Sequence, residues 1–181
     1  MPNYNEGLYD GWTKWEIALP GSGRLAFRQV GAESMYFGLQ GVSVAHPAAD
    51  PEPMPEGFED LGGICGEGPC RLINDEGWIF RDQGSLNIGP AWQPPYAVNE
   101  FTPHSGFSFM KSMKGGASGS VATWAILPAI GNQAGDELKF VVRGSLGQDA
   151  IFQVRYSPAS GTNSGSGATG VGDFSQVLLE K

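Results

Sequence analysis

Two cysteines, Cys65 and Cys70, are the residues whose type and spacing point most directly to a chemical bond. They lie in the run Gly-Gly-Ile-Cys-Gly-Glu-Gly-Pro-Cys, which is rich in glycine and proline. Half of a zinc site would need two further ligands, and His46 and His104 are the only histidines of the chain. A disulfide is therefore the interpretation that we favour, and by closing a short loop it would contribute about 2 kcal/mol to stability.

Patterns that could support catalysis are weak. Cys65 beside His104 could act as a nucleophile with its base, but the second cysteine favours the disulfide. Acidic residues cluster near predicted turns, where solvated charge is common, whereas a glycosidase needs two carboxylates held about 5 to 9 Å apart. These residues are Glu56, Glu59, Asp60, Asp75 and Glu76. Because the chain also lacks the nucleophile-elbow and His-Glu-x-x-His motifs, we predict that it is not an enzyme.

Residues 165–170, Gly-Ser-Gly-Ala-Thr-Gly, match the G-x-G-x-x-G pattern of phosphate-binding loops. In such loops the glycines follow a strand and open an amphipathic helix. No amphipathic helix pattern follows here, so we expect these glycines to belong to a flexible loop, Ser157–Gly172.

Three aromatic residues, Trp92, Tyr96 and Phe101, lie in a stretch that prolines interrupt. A ring in such a loop can stack on a sugar or on a protein partner. The three are therefore our candidate ligand-binding residues. The same rings could instead plug the open end of a β-sandwich, and the sequence leaves both interpretations open.

The composition excludes several classes of function. The chain has 181 residues, a net charge of −8 and only 17% charged residues. An acidic surface repels phosphate backbones, so we expect no nucleic-acid partner. No apolar run approaches the roughly 18 residues of a membrane span, and the first residues lack the pattern of a secretory signal. We therefore expect no membrane insertion, and either assembly in a cytoplasm or prior removal of a signal. The expected position of the protein is a virion surface or an extracellular surface.

Short apolar runs separated by glycine and proline turns predict an all-β protein. The densest run, Ser118–Ile130, suits a buried strand better than a helix, because Val, Trp and Ile fill a pleated surface well. Pro128 cannot donate to a strand ladder, so this strand must bend or reach an edge there. Eight to ten such runs and no convincing helix predict an antiparallel two-sheet sandwich, jelly-roll-like in topology.

Several short motifs between residues 57 and 181 resemble the cleaved-adhesin, or choice-of-anchor J, jelly-roll modules. They include Phe-Glu-Asp at 58–60 and Thr-Trp-Ala-Ile-Leu-Pro at 123–128. The strands that normally close such a module are found at the front of this chain. Trp-Glu-Ile-Ala-Leu-Pro-Gly at 15–21 and Leu-Ala-Phe-Arg at 25–28 resemble them. The resemblance implies a single sandwich over residues 1–181 in circularly permuted order.

In that interpretation residues 11–45 supply the closing strands, 46–56 form a proline-rich linker, and 57–181 form the main body. The front strands can fold back onto their own chain, since permutation is tolerated where chain ends lie close together. Alternatively they complete the sheets of a neighbour, and such a head-to-tail exchange makes a filament or lattice.

The resemblance also implies a structural calcium ion, with Glu59 and Asp60 as candidate ligands. Two other carboxylate positions of the family are changed, since Gln40-Gly41 replaces an Asp-Asp pair and Thr123 replaces an aspartate. We therefore expect that the protein requires no cofactor. The alternative to calcium binding is that Glu59 and Asp60 only lie on a turn.

These observations together predict a non-catalytic structural or adhesive surface protein of a larger assembly, with a virion (phage capsid) decoration or fibre-associated protein as the preferred setting. Its partners would be protein neighbours and, in one alternative, a glycan. That alternative is a carbohydrate-binding or adhesin module of a secreted bacterial protein. A strand-exchanged filament subunit is a further alternative, and a glycan-active hydrolase is the least favoured.

Overall fold

A computed structural model of the chain describes residues 11–31, 37–45, 77–85, 92–93, 103–104, 109–112, 120–144 and 150–181. All the regular structure in these ranges is β-strand. The strands are β1 (Thr13–Ala18), β2 (Arg24–Gly31), β3 (Phe37–Ala45), β4 (Ile79–Asp82), β5 (Trp92–Gln93), β6 (Met110–Ser112), β7 (Val121–Ile126), β8 (Glu137–Gly144), β9 (Ala150–Ser157) and β10 (Gln176–Glu180). The prediction of an all-β fold is confirmed.

The strands form two antiparallel sheets. Sheet A has the order β1-β8-β3-β6-β5, and sheet B has the order β10-β9-β2-β7-β4. The pairings β1–β8, β2–β7 and β3–β6 are nested, as in a long hairpin that is wrapped so that β1 to β4, and again β6 to β9, alternate between the sheets. That nesting is the topology of a jelly roll, which confirms the predicted fold class.

The front strands β1 to β3 are interleaved with strands from the rest of the chain. In sheet B, β2 lies between β7 and β9, and in sheet A, β3 lies between β6 and β8. None of the three front strands pairs with another front strand. Each sheet is therefore completed only when residues 11–45 and the later strands come together, and in this structure both belong to one chain.

The main core lies between the sheets because inward and outward side chains alternate along each strand. On β2, Leu25 and Phe27 point inward and are buried. The Phe27 ring packs edge-on against Phe140 of sheet A, with the ring centroids 5.1 Å apart, and near Phe152 at 5.8 Å. Such aromatic pairs contribute roughly 0.5–1.5 kcal/mol beyond the burial of their area.

The strand β7 is buried on both faces along its whole length. It ends at Ile126, two residues before Pro128, so the proline lies outside the ladder as its missing N–H requires. One face of β7 packs in the main core through Ala125, and Leu127, directly after the strand, belongs to the same cluster. Its other face belongs to a second, smaller cluster that includes Trp124, Ile126 and Phe174.

Residues 158–175, which we call the cover loop, bury that second cluster by folding back over the outer face of sheet B. The sequence predicted a flexible loop here, because glycine and serine dominate its composition. The structure shows instead that glycines let the loop pack closely on itself. A Cβ atom at Gly170 would collide with the backbone of Ser166, and one at Gly172 would collide with that of Asn163. Gly165 and Gly172 also have positive φ angles, which favour glycine.

Candidate functional site

A row of polar and aromatic side chains crosses the outer face of sheet B. Five residues are successive register partners on the five strands, one from each strand. In order they are Glu180 (β10), Gln153 (β9), Arg28 (β2), Trp124 (β7) and Arg81 (β4). Because cross-strand partners point to the same side of a sheet, all five side chains face the cover loop. We call these five residues, together with Arg155 two positions along β9, the arginine row.

Arg28 lies at the centre of this row and is only 3% exposed. Its Nη1 donates to Gln153 Oε1 at 3.1 Å, and its Nη2 donates to the carbonyl oxygen of Ala168 at 2.6 Å. A longer contact of 3.3 Å joins Nη2 to the Gly170 carbonyl oxygen. The guanidinium carbon also lies 4.7 Å from the centre of the Trp124 ring, within cation–π range. Arg28 therefore binds the cover loop to the sheet.

Arg155 occupies the neighbouring position on β9 and is 8% exposed. Its Nε donates to Gln153 Oε1 at 2.7 Å, and its Nη1 donates to the Phe174 carbonyl oxygen at 2.9 Å. The amide nitrogen of Gln153 in turn donates to Glu180 Oε2 at 2.6 Å. One neutral amide oxygen thus accepts from two guanidinium groups, and the same side chain connects them to a carboxylate.

The electrostatics of the row reflect two buried like charges. Burial and, as the smaller cause, the neighbouring Arg155 charge together lower the pKa of Arg28 to about 10. Burial also lowers the pKa of Arg155, while the Glu180 carboxylate opposes that change. Within the described residues, neither guanidinium lies within ion-pairing distance of a carboxylate. The row therefore holds more positive than negative charge.

Two N–H groups of this row have no acceptor among the described residues, and both are buried. They are Arg28 Nε and Trp124 Nε1. A third such group, Arg24 Nε, lies on the same face of β2. A buried donor without an acceptor costs about 1–3 kcal/mol. The outer face of sheet B is thus rich in donors as well as in positive charge.

The first half of the cover loop is attached to sheet B at the β4 edge. Gln83 donates from Nε2 to Ser164 Oγ at 2.7 Å and to the Gly165 carbonyl oxygen at 2.6 Å. Two hydrogen bonds between Asn163 and Asp173 close the loop internally. The Asn163 backbone N–H donates to Asp173 Oδ2, and the Asp173 backbone N–H donates to the Asn163 carbonyl oxygen. The cover loop is therefore a closed structure attached at two sides, and Phe174 packs on Trp124 at 5.5 Å between them.

The residues predicted from sequence lie elsewhere. Trp92 is in β5, is 2% exposed and belongs to the main core. Its ring therefore has no free face for stacking on a sugar in this structure, and its burial agrees with the alternative that it plugs the sandwich. The other candidates lie outside the described residues. They are Tyr96, Phe101, Glu59, Asp60, Cys65 and Cys70.

His104 lies on the outer face of sheet A, with its side chain exposed. Its backbone N–H donates to Gln40 Oε1 at 2.8 Å, and its ring lies edge-on to Trp12 with the centroids 6.4 Å apart. In the described part of the chain, no three His, Cys, Asp or Glu side chains come together in a group that could hold a metal ion. The same ranges contain no helix long and apolar enough to cross a membrane.

Sequence reasoning missed the arginine row, although a signal for it exists. In Arg-Leu-Ala-Phe-Arg of β2 and Gln-Val-Arg of β9, long polar side chains occupy every second or fourth position of strands that are otherwise apolar. That pattern normally indicates a solvated face. Only the folded position of the cover loop shows that this face is buried.

Comparison with protein-family models, with characterised proteins and with solved structures gives no match for this chain. The resemblance to adhesin modules therefore stays a prediction, and the function must be argued from the geometry.

Proposed function

We propose that this protein is a non-catalytic structural or adhesive subunit of a larger surface assembly, with virion decoration as the setting that fits best. The observation that carries the proposal is the interleaving of β1–β3 with the later strands in both sheets. Double-sheet jelly rolls recur in viral capsid and lectin domains, where they serve as building blocks and binding modules.

The interleaving suits a structural role because it makes the two parts of the chain interdependent. Removing β2 would separate β7 and β4 from β9 and β10, and removing β3 would separate β8 from β6. The front segment also supplies Leu25, Phe27 and Leu39 to the main core. Each fully buried side chain of this kind contributes roughly 1.5–3 kcal/mol, so neither part can form the sandwich alone.

The same geometry offers a route to assembly. Residues 46–78 join β3 to β4 and, at up to roughly 3.3 Å per residue, can span about 110 Å. That reach permits the front strands to pair with the later strands of the same chain or of a neighbour. Pairing within one chain has an effective concentration of about millimolar order, so exchange between chains needs a crowded assembly.

Light scattering over a dilution series tests the proposal. We expect a mass near 19.2 kDa at low concentration and larger species as the concentration approaches about 1 mM. A constant mass over the whole series would contradict assembly by copies of this chain. It would favour the second candidate, a discrete carbohydrate-binding or adhesin module, for which the jelly-roll topology that lectin domains share is the specific observation.

A cross-linking experiment shows whether the larger species exchange strands. Glu16 and Lys139 are register partners on β1 and β8, with Lys139 Nζ 3.9 Å from Glu16 Oε1. One preparation carries Glu16→Cys, another carries Lys139→Cys, and the two are unfolded, mixed and refolded at high concentration. A covalent heterodimer shows that strands pair between chains, whereas the double variant cross-linking within a monomer shows pairing inside one chain.

The matched control uses Lys14→Cys with Glu137→Cys. These residues lie on the same two strands, but Lys14 faces Val141 and Glu137 faces Ala18. Because the two residues lie several positions apart along the strands, the distance between their Cα atoms exceeds the limit of about 7 Å for a disulfide. Any cross-link through the native cysteines appears equally in this control.

A further inference from the structure

The outer face of sheet B combines three properties that point to a ligand. Arg28 and Arg155 are buried like charges that share one neutral acceptor, Gln153 Oε1. Neither has a carboxylate at ion-pairing distance within the described residues. Two buried N–H donors of the same row, Arg28 Nε and Trp124 Nε1, lack an acceptor there. Buried charges in proteins are normally paired, so this arrangement lacks negative charge, and its two unpartnered donors lack acceptor oxygens.

The charged groups that face the row define what would complement it. Arg28, Arg81 and Arg155 are positive, and Glu180 on β10 is negative. On the cover loop, the Asp173 carboxylate is engaged with the Asn163 backbone N–H at 2.9 Å. The row therefore favours an added group that is anionic, small and rich in acceptor oxygens. A guanidinium group matches the planar geometry of an oxyanion better than any other side chain does.

We propose that the Arg28–Arg155 pair beneath the cover loop binds one oxyanion group, a carboxylate or a sulfate. Arg28 Nε and the outer edge of the Arg155 guanidinium supply the donors. Entry is from the β9–β10 side, because Arg155 keeps 8% of its surface exposed and Glu180 is an exposed residue. This site is independent of whether the chain assembles with its neighbours.

The first experiment measures thermal unfolding during titration with sodium sulfate, with sodium chloride at equal ionic strength as the reference. Sulfate stabilises most proteins by exclusion from their surfaces, so the comparison must be between variants. The test variant is Arg155→Gln. Its matched control is Arg143→Gln, which removes the same charge from β8 in sheet A. We expect saturable stabilisation of the wild type and the control, with a half-point of millimolar order, and at least a tenfold weaker response of Arg155→Gln.

The second experiment observes the site directly and does not depend on stability. In NMR spectra, the arginine Nε–H signals are followed during the same titration. We expect the Arg28 signal to move in a saturable way and the Arg143 signal to stay in place. Arg155→Lys keeps the charge but removes the planar fork, so it should bind more weakly than the wild type and better than Arg155→Gln.

Three probes identify the source of the oxyanion. Free sulfate, the monosaccharide glucuronate and an oligosaccharide of uronic acids are titrated separately. Tighter binding of the oligosaccharide than of glucuronate indicates an acidic saccharide, whereas equal binding of all three indicates a small free anion. An unmoved Arg28 signal, or arginine signals that drift together without saturation, would mean an adventitious ion only and would overturn the proposal.

Discussion

Replacing Gln153 tests whether the arginine row is held together by its single shared acceptor. In Gln153→Leu, Arg28 and Arg155 both lose their contact with Oε1, at 3.1 and 2.7 Å, and Glu180 loses its contact with Nε2 at 2.6 Å. All three hydrogen bonds involve a charged partner, and each such bond contributes about 1.5–3 kcal/mol. Because exposed Glu180 regains water, we expect a net loss of about 3–5 kcal/mol, the range for a buried charge left without its partner.

The assay is equilibrium unfolding in urea, analysed by linear extrapolation with the m-value checked for constancy. For a domain of this size, a loss of about 4 kcal/mol lowers the melting temperature by roughly 8–16 °C. Asn132→Leu is the matched control, because Asn132 is a buried amide whose Nδ2 donates to the neutral carbonyl oxygen of Gly21 at 2.7 Å. A neutral bond of this kind contributes about 0.5–1.5 kcal/mol, so the control should lose less.

Gln153→Glu separates the effect of charge from that of shape. It places a carboxylate between two guanidinium groups, which should raise the pKa of Arg28 and of Arg155. It also removes the donor to Glu180 and creates repulsion with that carboxylate, which offsets part of the stabilisation that the new ion pairs contribute. We expect Gln153→Glu to be clearly more stable than Gln153→Leu. Equal losses for the two variants, or a loss below about 1 kcal/mol for Gln153→Leu, would refute the electrostatic account of this row.

Three further predictions concern the cover loop, pH and chain order. Gly172 has a φ of +50°, and a Cβ atom there would collide with the Asn163 backbone, so Gly172→Ala should lower the free energy of unfolding by more than about 2 kcal/mol. Its control is Gly131→Ala, at a φ of +63° with nothing within 4 Å, which should lower it by about 1 kcal/mol in urea unfolding. Arg28 has a lowered pKa of about 10 in the folded chain, so above that pH the unfolded chain binds more protons than the folded chain. Stability should therefore rise above about pH 10 in the wild type relative to Arg28→Met, and equal slopes in pH-dependent urea unfolding would contradict this. Lys181 Nζ lies 5.3 Å from the centre of the Trp15 ring, so the last residue lies beside the first strand. A circular permutant that joins Lys181 to Met1 and is opened within residues 46–56 should therefore unfold cooperatively, at a urea midpoint similar to that of the wild type.

Side-chain alternation was sufficient to predict the strands and the sandwich. The sequence patterns of residues 24–30 and 150–156 each predict a strand, and β2 and β9 coincide with these two ranges to within one residue. In the sequence, Gly41 separates the apolar runs 35–39 and 42–44 and so predicts a break in a third strand, but β3 continues through it. The register shifts between Gln40 and Ser43, and Gly41 has a φ of +62°. The glycine therefore forms a bulge rather than a break, a distinction that depends on the partner strand.

The outer layer could not be predicted in the same way. The cover loop contains no apolar periodicity, and only Val171 and Phe174 of the loop belong to the second hydrophobic cluster. Its position depends on backbone carbonyl oxygens, which accept from Arg28 and Arg155. Every residue type supplies such a carbonyl, so the sequence holds no pattern for these contacts. The burial of the arginine row and the position of the loop are thus one feature, and neither can be inferred without the other.

This coupling gives the proposed oxyanion a second, measurable consequence. The Ala168 and Gly170 carbonyl oxygens hold Arg28, so any group that fixes Arg28 also fixes the loop above it. Binding should therefore slow hydrogen exchange of the backbone N–H groups of Asp173 and Phe174, which donate within the loop to Asn163 and Val171. Exchange in β8 of sheet A, which does not contact the loop, should slow only as much as global stability increases. Protection confined to the cover loop would show that the ligand acts at the arginine row, whereas uniform protection would locate its effect elsewhere on the molecule.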